Sequence, residues 1–128
     1  MKRLLLLLLA VLLLTACGQK EDADREAVYV NITAEEAKKI MDSEDDYIIL
    51  DVRTQEEYDQ GHIPGAILIP DSEINVRAEK ELTDKDQLLL VYCRSGRRSK
   101  LAAEALVELG YTNIKEFGGI IDWPYETT

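Results

Sequence analysis

Residues 88–99 read Leu88-Leu89-Leu90-Val91-Tyr92-Cys93-Arg94-Ser95-Gly96-Arg97-Arg98-Ser99. The first five are a continuous apolar run, the pattern of a strand covered on both faces of a parallel sheet. Leu101, Ala102, Ala105, Leu106 and Leu109 then recur at helical spacing, and Gly110 stands where a C′ glycine ends a helix. A buried strand, a tight loop and an amphipathic helix follow one another, with a cysteine at the carboxyl end of the strand. In an open parallel sheet, ligands bind at that end.

Outward from this stretch, strand and helix signals alternate. Val28-Tyr29-Val30 reads as a short strand. Thr33 with Glu36 forms a capping-box pattern that opens a helix through Met41, and Thr54 with Glu57 opens a second to about Gln60. Tyr47-Ile48-Ile49-Leu50 is another buried run, Gly61-His62-Ile63-Pro64-Gly65 a turn, and Ala66–Ile69 a short strand. The polar stretch 71–86 holds one or two short helices and a turn, and Ile114–Phe117 makes a last strand. Strands separated by helices argue for an α/β domain, a parallel sheet with helices on both faces.

The amino-terminal residues have a different logic. Lys2 and Arg3 precede an unbroken apolar run, Leu4–Leu14, and then Thr15-Ala16-Cys17-Gly18. A basic start, a short apolar segment and small residues before a cut make a secretory signal. Eleven apolar residues reach only ~17 Å at ~1.5 Å each, about half of a ~30 Å hydrocarbon core. Leu14-Thr15-Ala16-Cys17 resembles the lipobox of bacterial lipoproteins. The resemblance implies cleavage before Cys17, a signal peptide at 1–16, and a lipid anchor on Cys17 that fixes an exported domain to a cell-envelope membrane. Residues 18–27 are polar without apolar period; together with Cys17 they make a lipidated tether, 17–27, ahead of a single domain at 28–128.

The full chain carries a formal net charge of −10; without residues 1–16, 13 Lys and Arg face 25 Asp and Glu, a net of −12. Such an acidic chain is not built for nucleic acid. An anionic substrate must be drawn to a local basic island. Arg94, Arg97, Arg98 and Lys100 form that island beside Cys93, the one cysteine that Cys17 lipidation leaves as a free thiol. Gly96 lets the loop turn tightly. Loop amides and a helix amino terminus favour an anion there, and with the arginines they are expected to hold Cys93 as a thiolate, the form that attacks sulfur. Ser95 and Ser99 offer hydroxyl donors. His62, the single histidine, reads as a structural residue of its turn, and Asp51 as an anchor of backbone amides. Arg53 and Glu57 read as an ion pair near helical spacing, and Trp123 and Tyr125 as packing for the carboxyl terminus. One His and one Cys do not make a metal site; no cofactor is expected.

Four stretches in order carry a family resemblance: Leu50-Asp51-Val52-Arg53-Thr54 with Glu57-Tyr58; Gly61-His62-Ile63-Pro64-Gly65-Ala66; Val91–Ser99; and Phe117-Gly118-Gly119 with Trp123. Together they resemble the rhodanese family across nearly all of 28–128. The resemblance implies a five-stranded parallel sheet flanked by helices. It implies transfer of a sulfane sulfur from a small anionic donor such as thiosulfate to a thiol or cyanide acceptor, through a persulfide on Cys93. Arg94, Ser95, Gly96, Arg97 and Arg98 would be the substrate-binding loop. A non-catalytic, tethered sulfur-carrier or protein-binding module is an alternative, with an unidentified acceptor protein as partner. Cysteine phosphatases and arsenate reductases are a third reading, but they use Cys-x5-Arg, and Cys93 to Arg98 is one residue shorter.

Overall fold

The computed structural model describes residues 28–128; the signal peptide, Cys17 and the tether fall outside them. The chain runs β1 (Val30–Asn31), α1 (Ala34–Ser43), β2 (Ile48–Asp51), α2 (Gln55–Asp59), β3 (Ile67–Leu68), a 3-10 turn (Asp71–Glu73), α3 (Ile74–Glu81), β4 (Leu89–Cys93), α4 (Arg97–Glu108), β5 (Ile114–Gly119) and a final 3-10 turn (Ile120–Asp122). The five strands form one sheet in the order β1-β5-β4-β2-β3, and every pairing is parallel. This is the expected architecture.

Side-chain alternation along β4 explains why both faces need cover. Leu89, Val91 and Cys93 join Leu50, Val52 and Ile114 in one core, closed by Ile74, Ala78 and Leu82 from the α3 side and Ala102, Ala103 and Leu106 from α4. Leu90 and Tyr92 point the other way, into a second core with Ile49, Phe117 and Trp123, over which Ala37 of α1 packs. The α4 face differs from its expected form by one position: Leu101 is 49% exposed, while Ser99, Ala102, Ala103 and Leu106 are buried. Small residues sit against the sheet because the helix approaches closely at its amino-terminal end, where Ser99 turns inward.

The strand order also locates the crevice. The connection through α2 carries β2 outward to β3, whereas the connection through α4 carries β4 to β5 on the opposite side. Chain direction therefore diverges between the carboxyl ends of β2 and β4, the switch point at which open α/β sheets bind ligands. Cys93 ends β4 at this point.

Candidate active site

Cys93 is carried into position by a strand that has no exposed residue and is followed by three loop residues before α4 begins. The turn depends on two glycines. Gly96 adopts φ +110°, in the left-handed region, which turns the chain from the loop into α4, and its amide donates to the Cys93 Sγ at 3.0 Å. Gly119, on neighbouring β5, presses against the loop: a Cβ there would lie 2.0 Å from the Arg94 carbonyl oxygen. That carbonyl in turn accepts from the Ile121 amide at 3.2 Å. The loop is thus clamped by backbone from the end of β5.

A bulge in β5 completes the floor. Val91 pairs with Glu116 and Cys93 with Gly119, so two steps along β4 face three along β5. The extra residue lies at Phe117–Gly118, with Gly118 at φ +88°. Glu116 shares the inward parity of Ile114 and is 2% exposed. Its Oε2 accepts from Ser99 Oγ at 2.5 Å and from the Gly118 amide at 2.9 Å. The Ser99 hydroxyl lies 3.4 Å from the Cys93 sulfur, so the thiol, the hydroxyl and the carboxylate stand in a row.

The expected site residues are placed as follows. Cys93 itself is 1% exposed, its sulfur tucked beneath the loop. Arg94, Ser95 and Arg97 are exposed, Gly96 is buried, and Arg98 is half-buried. Arg98 makes a fork with Glu57, Nη1 to Oε1 at 2.8 Å and Nη2 to Oε2 at 3.0 Å. This bidentate contact holds the Glu57 carboxyl down at about 2 and pushes the Arg98 guanidinium further up. It joins α2 to α4 across the switch point. Direct contact with the sulfur comes from the Gly96 amide and the Ser99 hydroxyl; Arg94 and Arg97 are exposed, and Arg98 is held by Glu57. A hollow of about 430 Å³ borders the loop at Arg94 and is walled by Arg53, Glu57, Ile120 and Ile121; Cys93 does not line it.

The pairing expected between Arg53 and Glu57 is replaced. Arg53 binds Asp51, with Nη2 at 2.7 Å from Oδ2, and also donates to the Gly61 carbonyl at 2.7 Å. Asp51 lies two residues away at the end of β2 and is fully buried, so an adjacent cation meets its charge better than one that reaches solvent. Asp51 also accepts from the Arg53 amide at 3.0 Å and from the Tyr92 hydroxyl at 2.5 Å. Burial first, then this bond to Asp51, pushes the Tyr92 phenol well above its ordinary range. His62 places Nδ1 2.9 Å from the Tyr58 carbonyl and stacks on the Tyr58 ring, centroids 3.7 Å apart. Trp123 and Tyr125 pack edge to face near the carboxyl terminus. The sequence marks Ser99 by its hydroxyl beside the loop, whereas Glu116 lies outside the motif, although a lone acid in phase with Ile114 on a buried strand is a legible signal.

A parallel sheet with helices on both faces and a thiol at the carboxyl end of its central strand, just before a helix amino terminus, defines an α/β domain with a candidate site at its switch point. Residues 33–124 match the model of the rhodanese-like domain, and the chain belongs to that family. It is 44% identical over 73 residues to the thiosulfate sulfurtransferase PspE of Escherichia coli, covering 57% of this chain and 70% of that protein. It is 36% identical over 111 residues to the putative sulfur carrier protein YrkF of Bacillus subtilis, covering 86% of this chain but 59% of that longer protein. Among solved structures, a rhodanese with anions from E. coli superimposes with a TM-score of 0.60 at 39% identity, over 64% of this chain and 96% of that one. A rhodanese-like domain from Anabaena superimposes at 0.72 with 28% identity, over 77% of each chain.

Proposed function

We propose that the protein is a sulfurtransferase in which Cys93 carries the sulfur. Membership of the rhodanese-like family, with relatives named as sulfurtransferases, supports sulfur transfer in general. The observation that carries the finer reading is the Gly96 amide aimed at the Cys93 sulfur at the unblocked amino terminus of α4. The α4 helix has no side-chain cap and no acid in its first turn, so its amino-terminal amides are left for an anion.

With thiosulfate as donor, the Cys93 thiolate attacks the outer sulfur. A Cys93–sulfur bond forms, the donor's S–S bond breaks, and its electron pair leaves on sulfite. The terminal persulfide sulfur retains one negative charge, which the loop amides and helix dipole stabilise. Cyanide or a thiol then takes that sulfur and returns the thiolate. Arg94 and Arg97, exposed close to Cys93 in sequence on an acidic protein, draw the anionic donor. With Cys93 the one free cysteine among the described residues, discharge goes to an external acceptor.

We further propose that Cys17 is the lipid anchor of an exported lipoprotein, on the strength of the lipobox-like Leu14-Thr15-Ala16-Cys17. Among the described residues no helix is long and apolar enough to cross a membrane. Palmitate labelling that persists in Cys17→Ala would remove the anchor.

Thiocyanate formation from thiosulfate and cyanide tests the enzymatic reading: turnover is expected for the native protein and none for Cys93→Ala. A carrier role is the second reading, favoured by the likeness to the putative sulfur carrier protein YrkF. A protein that accepts one sulfur on Cys93 yet turns over no small acceptor would decide for it.

A further inference from the structure

We infer that Glu116 is a positioning residue for Cys93, the two sharing a single proton through Ser99. This deepens the reading of the Cys93 site, and it can be tested without any sulfur transfer.

Glu116 is a carboxylate on the inward face of β5, 2% exposed. The charge of a buried acid must be met by donors or removed by a proton. It has two donors within hydrogen-bond reach, the Ser99 hydroxyl and the Gly118 amide. The nearest cation, Lys100 Nζ, is 4.0 Å from Oε1 on a half-exposed side chain. Ser99 has one hydroxyl hydrogen, and three acceptors surround it: Glu116 Oε2 at 2.5 Å, the Gly96 carbonyl at 3.0 Å and the Gly118 carbonyl at 3.3 Å. The charged, shortest acceptor holds that hydrogen. The Ser99 lone pair then faces Cys93 Sγ at 3.4 Å, where it accepts from the thiol.

The remaining charges around the sulfur do not separate the pair. Arg98 is forked to Glu57, and Asp71 adds negative charge near that guanidinium. Arg94 and Arg97 point to solvent. Asp51 and Arg53 neutralise one another beside Tyr92, whose side chain joins the core on the opposite face of the sheet. Cys93 and Glu116 are thus bridged by one hydroxyl in a site that exposes neither, and two negative charges so placed oppose each other. Ionisation of the thiol passes its proton to Ser99 Oγ as the Ser99 proton moves to Glu116 Oε2. The net charge of the row stays at −1, no second reactant is needed, and the sulfur becomes nucleophilic as the carboxylate becomes neutral. When both groups ionise at higher pH, Glu116 acts as a brake on the thiolate. The Gly96 amide works in the opposite sense, favouring the charged sulfur.

The experiment is the rate of Cys93 alkylation by iodoacetamide as a function of pH in the native chain and in Glu116→Gln. The amide keeps an oxygen for Ser99 and Gly118 but removes the charge. The native chain is expected to show a two-step rise, and Glu116→Gln a single step with its midpoint at lower pH than the native upper step. A second measurement guards against a folding defect in that variant. The carboxyl-carbon chemical shift of Glu116, followed by NMR in the otherwise native chain, is expected to titrate in two steps and to collapse to one in Cys93→Ala. Identical alkylation profiles, a midpoint moved to higher pH, or a Glu116 titration indifferent to Cys93 overturns the inference. Loss of thiosulfate turnover with these coupled titrations intact would instead remove the sulfurtransferase reading and leave the shared proton standing.

Discussion

Two helices begin at the same switch point, and their amino termini are built in opposite ways. The start of α2 is closed by its own sequence: Thr54 accepts from the Glu57 amide, Glu57 reaches back to the Thr54 amide, and Glu56 and Glu57 place acid in the first turn. The start of α4 is left open. Its N-cap is Gly96, no side chain caps it, and its first two residues are arginines. Arginine is the wrong charge for a helix amino terminus, so α4 forgoes local stability where α2 secures it. The ion pair between Arg98 and Glu57 relieves part of that cost by lending the acid of α2 to the cation of α4. The difference separates a terminus made for folding from one whose N-cap amide faces a sulfur.

The largest effect is expected at the backbone clamp that α4 has and α2 lacks. Gly119→Ala places a methyl on the Arg94 carbonyl, forcing the loop away from the strand. Misplacement on the order of 1 Å costs about 100-fold in rate, and the overpacking about 1–3 kcal/mol in stability. Thiocyanate formation and thermal unfolding measure the two. An unchanged rate would mean that the loop is not held by β5.

Next comes the bridge between the helices. The Glu57 carboxyl, held at about 2 by Arg98, sits below its ordinary 4.5. A depressed carboxyl contributes stability that is fully present above about 4.5 and is lost as the pH falls towards 2. Urea unfolding between those limits should show the native chain losing stability more steeply than Arg98→Met. The gap at neutral pH should be about 1 kcal/mol, because the pair is partly open to solvent. Equal slopes would break the link between the helices.

The smallest effect lies in the cap itself. Thr54→Ala removes the capping box of α2 and should cost about 1 kcal/mol, measured by urea unfolding, while the alkylation rate of Cys93 stays as it was. A change in that rate would show the two termini to be coupled more tightly than the comparison holds.

Much of this arrangement is legible in the sequence because it is local. The run Leu88–Tyr92 declares a strand covered on both faces, Thr33 and Thr54 declare their helices, and Gly110 at φ +98° ends α4 where expected. The placement of Cys93 follows from those elements alone. Illegible features depend on choices between distant partners. Arg53 stands near both Asp51 and Glu57 in sequence, and only the burial of Asp51 decides between them. The rotation of α4 that exposes Leu101 and buries Ala103 depends on how closely the helix meets the sheet. The β5 bulge inserts a residue that no periodicity announces, and it brings the Gly118 amide onto Glu116, two residues earlier in the chain, while the rotation of α4 lays Ser99 against the same carboxylate.

The central claim is that the sulfur beneath the open end of α4 accepts and gives up a sulfur atom. Intact-mass measurement after exposure to thiosulfate tests it most directly. The account predicts a gain of one sulfur atom on the native chain, reversed by cyanide and absent in Cys93→Ala. A native chain that gains nothing, or a gain that survives in Cys93→Ala, contradicts it.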